Sequence, residues 1–305
     1  LDPNVAASKD ATAPRCAIDA AGAIVAVWSY AGLDPGKLYW RRNSGAGWSS
    51  RKELAQLTGK ALGPACAGNA AGVCFAAWSS ESELWAARYE PGIGWSSPAE
   101  LDTGSAGERF ATEIRLVVFG NGDALIVWRS TDDDQLSTKV YVQGSGWGAS
   151  GSLGSVGNSQ YPVAVTGNEL GDAIVLWQNS DGGLWTLYAS RFTSAGGFEA
   201  PYVLYSSTIY HQPSATMDST GNALAAFVDF TVFPASQLYS ARYVAGSGWE
   251  AVELVNDLDV PREPAIAMDD VGNAFVAWRH ATVSGTGVSG SRFVPGTGWE
   301  ERVLL

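Results

Sequence analysis

Short apolar stretches alternate with polar, glycine-containing turns along the whole chain. In residues 264–278, an apolar stretch ends at Asp269, a turn follows through Gly272, and a second apolar stretch ends at Trp278. Short apolar stretches bounded by turn residues are typical of strands, and Asp and Gly favour the tight turn between them. The pattern therefore predicts a β-hairpin.

Two further strands are predicted in residues 238–254, which precede this hairpin. Residues 238–243 alternate in polarity, as a strand with one exposed face does, and a Gly-Ser-Gly turn leads into residues 249–254. A hairpin followed by two such strands makes one sheet of four short antiparallel strands.

This four-strand pattern recurs six times. In each copy a glycine is followed six residues later by an aromatic residue, and these aromatic residues are 49 to 51 residues apart. They are Trp28, Trp78, Trp128, Trp177, Phe227 and Trp278. A second aromatic series follows a glycine-containing turn and consists of Trp48, Trp95, Trp147, Phe198, Trp249 and Trp299. Two series at one period indicate an internal repeat.

Repeats of this length that each form a four-stranded sheet are typical of propeller blades, because a small sheet must stack on neighbours to bury both faces. A solenoid would need polar capping repeats, and the terminal copies are as apolar as the others. The sequence predicts an all-β, six-bladed β-propeller with four antiparallel strands per blade. We expect a single domain over residues 1–305, with blades at approximately 11–58, 59–105, 106–156, 157–207, 208–258 and 259–305 and residues 1–10 closing the ring.

Composition narrows the range of partners. The chain has 19 Lys and Arg against 31 Asp and Glu, a net charge of −12, which repels nucleic acid and anionic membranes. No apolar stretch is long enough for membrane insertion, and the first residues lack the features of a signal peptide. The acidic, Lys-poor, Trp-rich composition favours a bacterial protein that is secreted, periplasmic or on the cell surface, with any export signal outside this sequence.

The motifs in residues 213–218, 221–223 and 242–249 resemble repeats of exported bacterial β-propeller proteins. The third copy departs from the pattern, with Phe119 where other copies have Asp or Asn and Val140 where others have Arg. Blade number and size are also similar to those of six-bladed fucose-binding fungal lectins. The Gly-x-Gly-Trp element resembles the Asp-box turn of sialidases without its aspartate. These resemblances imply the fold and leave the activity open, because propellers include lectins, hydrolases and scaffolds.

Aromatic residues outside the two periodic series are candidates for ligand binding, whereas the periodic ones are explained by packing between blades. Those on or near third strands are Trp40, Trp85, Trp185, Tyr39, Tyr188 and Tyr239. An aromatic face can stack against a sugar ring while polar neighbours bind its hydroxyls. The alternative is that these side chains only cover a neighbouring blade.

An arginine lies seven residues before the second aromatic residue in five copies, at Arg41, Arg88, Arg191, Arg242 and Arg292. A guanidinium group can hold the carboxylate of an acidic sugar through two hydrogen bonds. We therefore include Arg88, Arg191 and Arg242 among the candidate ligand-binding residues. The alternative is that each arginine pairs with an acidic or carbonyl group of its own or the next blade.

Residues typical of metal sites and of catalysis do not form a recognisable motif. In five copies an Asp or Asn lies three residues before the turn glycine, at Asp19, Asn69, Asn168, Asp218 and Asp269. These residues favour a turn, and the loops lack the alternating acidic spacing of a calcium-binding loop. The acidic groups Asp132-Asp133-Asp134 and Asp257 with Asp259 fit solvated loops. His211 and His280 belong to no catalytic pattern. We predict no metal, no cofactor and no catalytic residue.

Cys66 and Cys74 flank the turn of the second copy, and Cys16 matches Cys66 in the first copy. Placed on paired strands, Cys66 and Cys74 can form a disulfide if the register brings them opposite each other. Buried free thiols are the alternative.

The function expected from these features is a non-enzymatic binding module of the exported or cell-surface type that recognises carbohydrate or a protein partner. The alternatives are a propeller-fold glycoside hydrolase or lyase and a purely structural assembly ring.

Overall fold

The computed structural model describes residues 11–30, 36–57, 61–80, 83–103, 111–130, 133–156, 163–231, 236–258, 260–282 and 285–305. These residues form strands and turns, with no helix long and apolar enough to span a membrane among them. The chain divides into two compact units, Leu1–Ser155 and Val156–Leu305, with three sheets each. The prediction that residues 1–10 close a ring lies outside the described residues, and the single domain stays a prediction.

The first unit contains strands β1 to β14. Its first sheet consists of β1 (Ala11–Ile18), β2 (Ile24–Tyr30), β3 (Lys37–Asn43) and β4 (Lys52–Gln56). The second consists of β5 (Ala61–Gly68), β6 (Cys74–Ser80), β7 (Glu83–Glu90), β8 (Gly94–Trp95) and β9 (Ala99–Thr103). The third consists of β10 (Ala111–Val118), β11 (Ala124–Ser130), β12 (Gln135–Val142), β13 (Gly146–Trp147) and β14 (Gly151–Ser155).

The second unit contains strands β15 to β29. The fourth sheet consists of β15 (Ala164–Gly167), β16 (Asp172–Asp181), β17 (Leu184–Thr193), β18 (Gly197–Phe198) and β19 (Tyr202–Ser207). The fifth consists of β20 (His211–Met217), β21 (Ala223–Asp229), β22 (Gln237–Val244), β23 (Gly248–Trp249) and β24 (Glu253–Asn256). The sixth consists of β25 (Arg262–Met268), β26 (Ala274–Thr282), β27 (Gly285–Val294), β28 (Gly298–Trp299) and β29 (Val303–Leu304).

Each sheet is antiparallel, and its strands follow one another in sequence order. In the second to sixth sheets the fourth-strand position is shared by two segments, both paired with the third strand. One is a two-residue segment that carries the second aromatic residue, and the other has four to six residues, except in the sixth sheet, where it has two. In the first five sheets a register shift interrupts the pairing of the fourth strand with the third, for example between Leu38 and Tyr39 in the first sheet. The bulge changes which side chains of the fourth strand face the neighbouring sheet.

The turn between the first two strands has the predicted chemistry. Gly272 has a φ of 86°, a conformation that side-chain-bearing residues resist. The Asp269 carboxylate accepts hydrogen bonds from the backbone N–H groups of Val271 (3.1 Å) and Asn273 (2.8 Å). Asn69 accepts from Val73 in the same way and also donates to the carbonyl of Phe119 in the next sheet (2.8 Å). These Asp and Asn residues therefore hold the turns.

The core of each unit lies between successive sheets and is centred on the second strands. Trp78, Trp128 and Trp278 are at most 1% exposed, and Phe227 is fully buried. Each packs in a cluster that joins its own sheet to the preceding one. Burying a side chain of this size stabilises the fold by about 3 kcal/mol, so these periodic aromatic residues are structural.

Candidate functional site

Four of the predicted third-strand aromatic residues lie directly opposite a periodic aromatic residue of the second strand. The pairs are Trp28 with Tyr39, Trp78 with Trp85, Trp177 with Tyr188, and Phe227 with Tyr239. Three of these pairs have stacked rings, with centroids 6.3 Å apart at Tyr39, 5.6 Å at Tyr188 and 5.9 Å at Tyr239. The third and sixth sheets have serine at this position, Ser137 and Ser289.

The two remaining predicted tryptophans occupy different surroundings. Trp40 is half-buried against the second sheet, where its ring lies 5.7 Å from that of Tyr89 and 6.0 Å from that of Trp95. Trp185 lies opposite Ser180 near the far end of its sheet and is half-buried. Trp40 thus packs between two sheets.

The three predicted arginines each form an ion pair close to their own strand. Arg88 pairs with Glu90, Arg191 with Asp172 (2.9 Å) and Glu199 (3.0 Å), and Arg242 with Glu250 (3.6 Å). Each guanidinium group also lies over an aromatic ring of the next sheet: Tyr141 for Arg88, Tyr243 for Arg191 and Phe293 for Arg242. These contacts are those of the alternative interpretation, in which the arginines pair with acidic groups nearby.

In the first copy, the residue equivalent to these arginines is Arg42, not Arg41. Arg88 lies opposite Phe75 across the sheet, and Arg42 lies opposite Val25 at the same register position. The turn before Trp48 is one residue shorter than the others, because Asn43 bridges Trp48 whereas Tyr89 pairs with Trp95. Counting seven residues back from the aromatic residue therefore selects the wrong arginine.

A cavity of about 480 Å³ lies between the second and third sheets of the first unit. We call it the Arg88 groove and define it by Phe75, Arg88, Glu90, Ala99, Tyr141 and Trp147. The rings of Phe75 and Trp147 are in edge contact, with centroids 5.6 Å apart. Ile93, at the rim, is 82% exposed.

The Arg88 groove is open because the fourth strand carries alanine at one position. Ala99 pairs with Ala86, and the equivalent residue of the fourth sheet is Tyr202, which pairs with Ala189. The ring of Tyr202 stacks on Trp249, the equivalent of Trp147, with centroids 6.5 Å apart and planes at 18°. Lys52 and Glu253 occupy this position in the first and fifth sheets.

Donor and acceptor groups lie side by side in the Arg88 groove. The Arg88 guanidinium donates to the side-chain oxygen of Gln143 (3.3 Å) and pairs with the Glu90 carboxylate. It lies 6.0 Å from the centroid of Phe75 and 5.7 Å from that of Tyr141. An ionic pair beside aromatic faces combines apolar contact with hydrogen bonding in both directions.

A second cavity, of about 280 Å³, lies between the first and second sheets. We call it the Trp85 pocket and define it by Ala55, Leu57, Trp78, Ser80, Glu83 and Trp85. The indole N–H of Trp85 donates to the Glu83 carboxylate at 2.9 Å. The structure thus places Trp85 and Arg88 in different cavities.

In the second unit, Tyr205, His211 and Asp229 form a polar cluster. The Tyr205 hydroxyl donates to Asp229 (2.9 Å), and the His211 ring, fully buried, lies 3.1 Å from the Ser207 hydroxyl. Burial lowers the pKa of His211 to about 4, although the Asp229 carboxylate opposes this shift. The pKa of Asp229 is lowered despite its burial, because Thr231 and Tyr205 donate to it. The periodic pattern gave no signal for this cluster.

The described residues contain no group of three His, Cys, Asp or Glu side chains arranged to hold a metal ion. Asp134 accepts from Arg129 at 2.8 Å, whereas Asp132 and Asp259 lie outside the described residues. His280 is buried, with one ring nitrogen 3.1 Å from the Ser289 hydroxyl.

The cysteines are free thiols. In the sheet register Cys66 lies opposite Ala76 and Cys74 opposite Gly68, so the predicted direct pairing of Cys66 with Cys74 is wrong by two residues. The hydrogen bond with Cys66, together with burial, raises the pKa of Cys74. Its thiol is therefore protonated and unreactive at neutral pH.

No family model and no curated protein match the chain. Solved structures do. A protein of unknown function from Dyadobacter fermentans matches with 14% identity over 93% of this chain and 94% of its own, at a TM-score of 0.51. The six-bladed lectin of Aleuria aurantia matches with 16% identity over 96% of this chain and 94% of its own, at a TM-score of 0.50. An ulvan lyase of polysaccharide lyase family PL25 matches with 12% identity over 88% of this chain and 77% of its own, at a TM-score of 0.59.

These likenesses concern the fold. Together with the six antiparallel sheets, they confirm the predicted fold class: the chain is an all-β, six-bladed β-propeller with four antiparallel strand positions per blade. Solved propellers similar to it include lectins and polysaccharide-degrading enzymes.

Proposed function

We propose that this protein is a non-enzymatic carbohydrate-binding module of the exported or cell-surface type, with its binding site in the Arg88 groove. The observation that carries the proposal is the uncovered face of Trp147. Between the fourth and fifth blades the equivalent tryptophan, Trp249 of the fifth blade, stacks against the ring of Tyr202 of the fourth. Beside Trp147 the corresponding residue is Ala99, and a cavity takes the place of that ring.

The chemistry of the Arg88 groove fits a sugar. The C–H face of a sugar ring packs on an aromatic face, and each hydroxyl both donates and accepts hydrogen bonds. Arg88 supplies a donor and Glu90 an acceptor at the same wall. The volume of about 480 Å³ lies within the range of about 300 to 1,000 Å³ typical of small-ligand sites. The Aleuria aurantia lectin supplies a precedent for fucose recognition on this fold.

Glycan-array screening of the purified protein, followed by calorimetric titration with each sugar that binds, tests the proposal. Trp147→Ala removes the stacking face and is expected to weaken binding by about tenfold or more, corresponding to ~1.4 kcal/mol. Trp249→Ala is the matched control, because it removes the same side chain where Tyr202 already covers it, and binding is expected to stay unchanged. Ala99→Tyr is expected to abolish binding by filling the groove.

A blank array, or equal loss of binding in the Trp147 and Trp249 variants, rules out this site. The glycoside hydrolase and lyase alternatives predict product release from the same glycans. The carboxyl groups whose pKa is shifted do not favour these enzymatic alternatives. Hydrogen bonds that outweigh burial lower the pKa of Asp218 and Asp229, and a hydrogen bond from Asn273 lowers that of Asp269, whereas a general acid needs a raised value.

A further inference from the structure

The Trp85 pocket has an equivalent between the fourth and fifth blades. Across the sheet Leu38 lies opposite Ala55, and Leu187 lies opposite Tyr205, so Ala55 and Tyr205 occupy the same position in their blades. The walls correspond as well: Trp78 to Phe227, Trp85 to Tyr239 and Ser80 to Asp229. The side chain at this position is thus small in the first blade and large in the fourth.

Tyr205 occupies this space with a phenol ring. Its centroid lies 5.2 Å from that of Phe227, 5.3 Å from that of Tyr239 and 5.4 Å from that of His211. Its hydroxyl donates to Asp229 at 2.9 Å. Ring centroids at these distances are in favourable aromatic contact.

In the Trp85 pocket the same space is a cavity. Ala55 replaces the tyrosine, while two aromatic walls, Trp78 and Trp85, remain. The pocket measures about 280 Å³, and an apolar cavity of about 150 Å³ is enough to bind benzene. We infer that the Trp85 pocket binds a phenolic ring in the place that Tyr205 fills between the fourth and fifth blades.

The wall chemistry selects a phenol over other small ligands. Leu57, Pro98 and the two tryptophans offer apolar contact on several sides. The Glu83 carboxylate and the Ser80 hydroxyl also line the pocket and can accept a hydrogen bond from a phenol. Anionic rings are disfavoured beside Glu83 in a chain of net charge −12. This site is separate from the Arg88 groove and does not depend on sugar binding.

Calorimetric titration with p-cresol tests the inference, with toluene as the probe that lacks the hydroxyl. We expect saturable binding of one p-cresol per chain and at least about tenfold weaker binding of toluene, because toluene has no hydroxyl to donate to the Glu83 carboxylate. A phenol ring can come from a free phenol or from a tyrosine side chain of another protein, and titration with N-acetyltyrosinamide distinguishes these two sources. Affinity equal to that of p-cresol points to a tyrosyl side chain as the natural ligand, and clearly weaker affinity points to a free phenol.

Two reciprocal variants localise the binding. Ala55→Tyr copies the native arrangement of the fourth blade and is expected to abolish p-cresol binding, and Tyr205→Ala is expected to create a second equivalent site. Glu83→Gln, which keeps the size of the side chain, is expected to weaken p-cresol at least about fivefold and toluene very little. Absence of saturable binding to the native protein, or full binding by a folded Ala55→Tyr variant, overturns the inference. Trp147→Ala, which tests sugar binding, is expected to leave p-cresol binding unchanged.

Discussion

The buried imidazole of His211 makes the stability of the protein depend on pH. His211 is fully buried, and its Nδ1 atom has no hydrogen-bond partner within the described part of the chain. Burial lowers the pKa of His211 from 6.5 to about 4. The unfolded chain therefore takes up a proton at this residue before the folded chain does, and the free energy of unfolding falls as the pH drops from 6.5 towards 4.

The size of the loss follows from the two pKa values. One pKa unit corresponds to about 1.4 kcal/mol. At about pH 5 the unfolded histidine is almost fully protonated and the folded one is still mostly neutral, so the protein is expected to have lost about 2 kcal/mol relative to pH 7. Asp229, whose pKa is lowered, contributes in the same direction only at lower pH, as the carboxylate becomes protonated.

Urea unfolding followed by tryptophan fluorescence at about pH 7 and about pH 5 measures this loss. His211→Gln removes the titrating group, and its loss between the two pH values is expected to be about 2 kcal/mol smaller than that of the native protein. Tyr205→Phe keeps the ring that packs on His211 and is expected to keep the native loss. Equal losses in the native protein and in His211→Gln would refute the reasoning.

Two other predictions concern turn geometry and thiol reactivity. Gly72 and Gly92 both have positive φ, 81° and 82°, but an added Cβ meets other atoms at 3.0 Å only at Gly72, so Gly72→Ala is expected to cost about 1 kcal/mol more than Gly92→Ala in urea unfolding. Equal costs would show that crowding at Gly72 is unimportant. Exposed Cys16 is expected to react rapidly with a thiol reagent in the native state and buried Cys74 only after unfolding; rapid reaction of Cys74 would contradict its burial.

The repeat, the strands and their turns could be predicted from the chain itself, because these features depend on residues close together in sequence. The turn that ends at Gly272 is an example: Asp269 and the glycine lie within four residues, and their side-chain and backbone preferences act locally. The aromatic residues of the second strands, such as Trp78 and Trp128, were correctly interpreted as packing residues, because every copy needs one.

Positions that depend on pairing between strands could not be read from spacing alone. Arg41 was selected in place of Arg42 because the turn before Trp48 is one residue shorter than its counterparts. Cys66 and Cys74 are offset by two residues because the register of their hairpin places Cys74 opposite Gly68. A shift of this kind moves a side chain along the sheet or to its other face.

The two cavities were decided by tertiary structure. Ala55 and Ala99 are unremarkable in a sequence rich in alanine, and bulges in the fourth strands hide their equivalence to Tyr205 and Tyr202. Only when neighbouring blades pack together does a short side chain at these positions leave space beside Trp85 or Trp147. The sequence by itself determined the repeating framework through local preferences. The cavities depended on what side chains from different blades leave unfilled, which is a property of their packing in three dimensions.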